Sequence, residues 1–184
     1  FSENDFGGVK GLEQASAFVD KLDDPDRGSQ ILHRLANVYR QQGRFDLSKS
    51  SYQALLDKYP QNKNTPRIES EYLGVLERDM GLEESSQAKR NFFNKYNHES
   101  AWAKAQKDTM AIHVADSLAA FHLYDAAVTH HQLALQQSSN QAMYRAAAKA
   151  YEDYIRFYPR TPAANECHYN FAEILFSLGD YHKA

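Results

Sequence analysis

Residues 29–62 read SQILHRLANVYRQQGRFDLSKSSYQALLDKYPQN, two apolar-periodic runs on either side of a glycine. Leu32, Leu35, Ala36 and Tyr39 recur at three- and four-residue steps, the mark of one buried helix face. Gln41-Gln42-Gly43-Arg44 then interrupts the pattern, and Gly43 can take the left-handed conformation that ends a helix. Phe45, Leu47, Ser48, Tyr52, Leu55, Leu56 and Tyr59 form a second apolar stripe. Pro60 stops it, because a proline disfavours helical geometry in the residue before it. Ala36 and Ser48 are small where two antiparallel helices would cross, and Tyr39, Phe45 and Tyr52 are large enough to fill the space around that crossing. The stretch is a helical hairpin.

The rest of the 184 residues agrees. Val, Ile and Thr together number 15 while Ala alone numbers 24, a balance that favours helix over strand. With 42% hydrophobic and 24% charged residues the chain is globular rather than disordered. No run approaches the length of apolar sequence that a transmembrane helix needs. A single cysteine, Cys167, excludes an internal disulfide framework and any CxxC metal site. The chain reads as all-α.

Within residues 29–62, small residues stand at positions 8 and 20, Gly at 15, aromatics at 11, 17 and 24, and Pro at 32. That arrangement resembles the tetratricopeptide repeat, a helix–turn–helix unit of about 34 residues. The end of the chain repeats the theme. Phe171, Ala172, Leu175, Gly179, Tyr181 and Ala184 take positions 7, 8, 11, 15, 17 and 20 of a unit beginning at Asn165. The resemblance implies a right-handed superhelical solenoid of antiparallel helix pairs. It divides residues 1–184, read as one solenoid fragment, into a well-formed repeat at 29–62, degenerate repeats at about 66–99 and 100–139, a second-helix half at 140–159, and a partial repeat at 165–184. The expected helices lie near 8–22, 29–42, 45–59, 66–80, 83–96, 99–122, 124–137, 140–158 and 163–178, with Pro66 at a helix start and 99–122, long for this repeat, open to division into two helices with a kink.

Tetratricopeptide arrays bind proteins or peptides on a concave face lined by the first helices of successive units, and they share no catalytic centre. The resemblance therefore implies a noncatalytic interaction scaffold with no cofactor. It directs Gln30, His33, Asn37 and Arg40 into the groove, followed by Arg67, Ser70, Gly74 and Glu77 in the next unit and Glu166, Tyr169, Glu173 and Phe176 in the last. One subgroup of the family clamps a partner's terminal carboxylate with Lys, Asn and Arg. Only Asn37 and Asn170 fit that pattern, since His33 and Glu71 stand where Lys and Asn would be expected. The segments 147–159 and 172–181, aromatic-rich with Phe157-Tyr158-Pro159 and Gly179-Asp180-Tyr181, also look like envelope-associated bacterial members. That points to a periplasmic or outer-membrane-associated setting, with a cytoplasmic one as the alternative.

Other chemistries find little support. His113 with Asp116, and His122 with Asp125, are three residues apart and offer two ligands each, short of the three or four that zinc requires. His168 beside Cys167 points about 100° away on a helix and is poorly placed as its base. Nucleic acid needs a basic groove, yet residues 28–184 carry 17 acids against 18 bases. Trp102 reads as a core plug or, alternatively, an exposed partner anchor.

Phe1 is not preceded by Met, no signal-peptide pattern follows it, and Ala184 falls just after a turn signal, so the chain reads as a piece of a longer protein. Phe171, Leu175 and Phe176 would then lack their second-helix partner, leaving that end mobile or covered by a neighbour, for instance in a dimer. Two further roles stay open: a structural spacer in a multi-repeat envelope protein, and a regulatory region of an enzyme whose catalytic domain lies elsewhere.

Overall fold

The computed structural model describes residues 10–137 and 140–180. Among them are nine helices and no strand: α1 (Gly11–Val19), α2 (Pro25–Gln41), α3 (Phe45–Lys58), α4 (Thr65–Leu76), α5 (Leu82–Tyr96), α6 (Ala101–Ala105), α7 (Thr109–Gln136), α8 (Gln141–Phe157) and α9 (Pro162–Leu178). The start of the expected helix 8–22, and repeat positions Tyr181 and Ala184, lie outside the described residues. The chain forms two compact units, one of residues 1–78 and 105–111, the other of 79–104 and 112–184. The boundary at 78/79 falls between α4 and α5.

In the first unit the α2–α3 hairpin is the organising element. α2 starts four residues before the expected position, at Pro25, because Asp24 caps it by accepting from the Arg27 amide at 2.9 Å and Pro25 pre-sets the first turn. Gly43, at φ 72°, turns the chain, and the Arg44 amide closes back on the Tyr39 carbonyl at 2.9 Å. Ala36 and Ser48 meet at the helix crossing, fully buried, where the Ser48 hydroxyl donates to the Ala36 carbonyl at 2.9 Å. Leu32, Tyr39, Tyr52 and Leu55 close the core around them, joined by Ala15 and Val19 of α1 and Ile68 and Val75 of α4. Burying each such Leu contributes about 1.5–3 kcal/mol. Pro66 opens α4 as expected, after Thr65, whose hydroxyl donates to the Tyr59 carbonyl at 2.8 Å.

The second unit differs from the expected helix map. A single helix spans 109–136 where two were expected at 99–122 and 124–137. No Gly or Pro interrupts that span, and Leu123, at the expected break, is fully buried. The break falls at residues 106–108, inside the long 99–122 stretch where a division into two helices was the alternative, and there Asp108 accepts from the Ala111 amide at 3.1 Å and so caps α7. Upstream, Ser100 caps α6 by accepting from the Ala103 amide at 3.1 Å. α7 is apolar nearly all round: Ala115, Ala119, Leu123, Ala126 and Ala127 are buried, while Val114, Phe121 and Leu135 are exposed. α5 is stitched to it by the Ser86 hydroxyl, which donates to the Ala126 carbonyl at 2.9 Å, and by the Lys89–Asp125 ion pair. The Arg90–Asp153 pair ties α5 to α8, and Asn170 of α9 donates to the Tyr151 hydroxyl at 3.2 Å. Trp102 is buried edge-on against Tyr96, so it is a core plug and not an anchor.

Candidate functional site

Helical geometry places residues 30, 33, 37 and 40 along one side of α2, away from the core residues 32, 36 and 39. The described structure brings this face together with α4. His33 Nε2 and Glu71 Oε2 lie 2.7 Å apart, linking the two helices across 38 residues of sequence. Beside them the Tyr52 hydroxyl donates to Asn37 Oδ1 at 3.1 Å, and the Arg40 guanidinium donates to the same oxygen at 3.0 Å. Tyr52 stacks on Tyr72 with ring centroids 5.3 Å apart, and the His33 ring leans over Tyr52 at 6.1 Å. Burial and the neighbouring Glu71 carboxylate push the Tyr52 phenol up to about 12, so it remains a donor.

The consequence for Asn37 is chemical. Two donors converge on its carbonyl oxygen, which fixes the orientation of the amide, and its NH2 has no partner among the described residues. Gln30 and Arg67 are exposed on the same pair of helices, and Arg67 makes no ion pair among the described residues. Ser70 and Glu77 are half-buried on α4 and at its C-terminal cap, each with further contacts of its own, and Gly74 is exposed between them. A carboxylate clamp is not what this face offers, because the side chain at its cationic position, His33, already faces Glu71.

The α9 residues belong to the second unit. Tyr169 and Phe176 are 72% and 66% exposed, while Glu166 and Glu173 are exposed beside them. Burial, with the nearby Glu166 carboxylate, pushes the Tyr124 phenol up to about 12. The other clamp candidate, Asn170, donates to Tyr151 inside the helix packing. The apolar spacing predicts Tyr52 only as core filling. Its ring is buried as expected, but its hydroxyl reaches the face, a dual role that spacing alone does not reveal.

Alternative chemistries resolve into packing. Asp116 accepts from the Tyr158 hydroxyl at 2.8 Å and lies 3.0 Å from His98 Nδ1, rather than joining His113. Asp125 pairs with Lys89, and the buried His122 ring packs against Phe92. Among the described residues no three His, Cys, Asp or Glu side chains gather as a metal would require. Cys167 is fully buried, and desolvation with the nearby Glu166 charge pushes its thiol up to about 12, so little thiolate forms near neutral pH. No described helix is long and apolar enough to cross a membrane.

No curated protein matches the chain. The model of the tetratricopeptide repeat matches residues 12–62, which carry nearly all of α1 and the whole α2–α3 hairpin with its Ala36–Ser48 crossing. Tetratricopeptide repeats generally mediate protein–protein interaction, and the family is typically noncatalytic. Residues 12–62 are thus similar to the tetratricopeptide repeat, and the likeness is to that stretch of the chain.

Proposed function

We propose that the face built by α2 and α4 holds an extended segment of a partner protein, without catalysis. The observation that carries this reading is Asn37: its carbonyl is held by Tyr52 and Arg40, and its amide NH2 is left to donate to a main-chain carbonyl of the segment. Gln30, Arg40 and Arg67, all exposed, flank it and would contact the segment's side chains. The α9 residues Glu166, Tyr169, Glu173 and Phe176 offer a second set of contacts in the other unit. A photo-crosslinking amino acid placed at Gln30 or at Arg67 should capture a discrete partner, and Asn37→Ala should reduce that capture severalfold. Equal capture from a control position on the far side of α3, such as Gln53, or capture indifferent to Asn37→Ala, overturns the assignment.

A spacer role is the second reading, favoured by the His33–Glu71 link. It consumes two polar groups in holding α2 to α4 and leaves less of the face for a partner. Absence of any discrete crosslink from both positions would support it.

A further inference from the structure

α2 has a second face, about a third of its circumference away from the first. There Ile31, Arg34, Leu35 and Val38 meet Gln14, Ala15 and Phe18 of α1 around a groove of about 540 Å³. Its floor is apolar: Ala15 and Leu35 are nearly buried, while Phe18 and Val38 rise at its sides, 56% and 37% exposed. An apolar opening between two helices is a surface that can take the apolar stripe of a third helix. The α2 lining runs from Ile31 to Val38, about 10 Å of helix axis or two turns.

The charge in the groove selects among occupants. Arg34 stands halfway between Ile31 and Val38 and makes no ion pair or side-chain hydrogen bond among the described residues. A second copy covering the whole groove about a two-fold axis would bring Arg34 against its own counterpart, two like charges in a partly dehydrated interface. A helix bearing a carboxylate beside its apolar stripe meets Arg34 with the opposite sign. We infer that the α1–α2 groove is a second docking site, which takes an amphipathic helix of a partner protein with Leu-sized residues at i, i+3 or i+4 and i+7 and an acidic residue alongside them. This site is separate from the α2–α4 face, and it stands or falls independently of that proposal.

The probes are two fluorescently labelled, end-capped synthetic helices of 18 residues. Both have a Leu stripe, flanked by Glu in one and by Lys in its twin. Titrated with the full chain and followed by anisotropy, the Glu helix is expected to bind at least five-fold more tightly than its twin. Arg34→Glu should invert that order. Phe18→Ser should weaken the Glu helix at least five-fold, and Asn37→Ala should leave it unchanged. Phe18 and Arg34 are both exposed, so circular dichroism of each variant should match the parent. Absence of saturable binding, equal affinity for the two helices, or indifference to Phe18→Ser overturns the proposal. So does a concentration-dependent dimer in sedimentation that Phe18→Ser disperses, since the occupant would then be a second copy.

Discussion

Two buried serines make the same bond in different company, and replacing each by alanine separates what the bond is worth from what it supports. Ser48 donates to the Ala36 carbonyl at 2.9 Å and has no other partner. Removing its hydroxyl forfeits about 1 kcal/mol of net hydrogen bonding, and alanine returns about 0.5 kcal/mol through helix propensity. The Ala36 carbonyl still faces the amide one helical turn ahead, so no group is orphaned. The expected cost is about 0.5 kcal/mol. Ser86 makes the matching bond to the Ala126 carbonyl at 2.9 Å, but its oxygen also lies 2.8 Å from His130 Nδ1, in a ring that is only 4% exposed. Without Ser86, that nitrogen keeps only the Ala126 carbonyl at 3.1 Å. A weakened buried imidazole adds about 1 to 2 kcal/mol, so Ser86→Ala should cost roughly 1.5–2.5 kcal/mol in all. Urea denaturation measures both, with far-ultraviolet circular dichroism for the whole chain and Trp102 fluorescence for the second unit, where that single tryptophan is buried. Equal shifts for Ser48→Ala and Ser86→Ala would mean that His130 draws no support from Ser86.

Three further outcomes are expected. Burial holds His130 and His131 below the ordinary imidazole value, with Arg90 opposing and Glu83 favouring protonation of the first and Glu173 favouring that of the second. The unfolded chain therefore takes up protons near pH 6.5 that the folded unit still refuses. Stability is complete above that pH and falls as pH drops through and below it, by up to about 1.4 kcal/mol per pH unit for each histidine. A Trp102-monitored urea midpoint unchanged between pH 7.5 and 5.5 would contradict this. A Cβ on Gly28 would stand 2.1 Å from the Tyr59 hydroxyl oxygen and 2.8 Å from its ring carbon, so Gly28→Ala should destabilise by about 1–3 kcal/mol. Tyr59→Leu should recover most of that loss in a double-mutant cycle, and a neutral Gly28→Ala would count against the contact. Gly43→Ala, at φ 72° with open space around it, should cost about 1 kcal/mol through backbone strain alone, read as a lowered thermal midpoint.

The first hairpin was legible because its signals are local and agree. The apolar spacing, the small residues at the crossing, Gly43 at the turn and Pro60 after the second helix all point to one geometry. Elsewhere the signals competed. Asp24-Pro25 is a helix start, yet the surrounding acids make it read as a turn. α7 carries alanine and aromatic residues on every side, so its period is weak, and only its lack of Gly and Pro between 109 and 136 announces one continuous helix. At the candidate face, three- and four-residue spacing put His33, Asn37 and Arg40 together. The link from His33 to Glu71 crosses 38 residues and depends on tertiary packing that no local pattern encodes. The same holds for Tyr52, whose ring and hydroxyl serve two purposes from one position.

The first compact unit is not one run of chain: residues 105–111 rejoin residues 1–78, and the Gln106 side chain donates to the Gln61 carbonyl at 2.8 Å. A protein shortened at residue 78 would lose that returning stretch, and one begun at residue 112 would lose α5 and α6 from its own unit. Excising either half with a single cut therefore spoils the piece retained. Swapping this region between proteins calls for three splice junctions, at 78/79, 104/105 and 111/112, with the seven-residue return grafted along with the N-terminal helices.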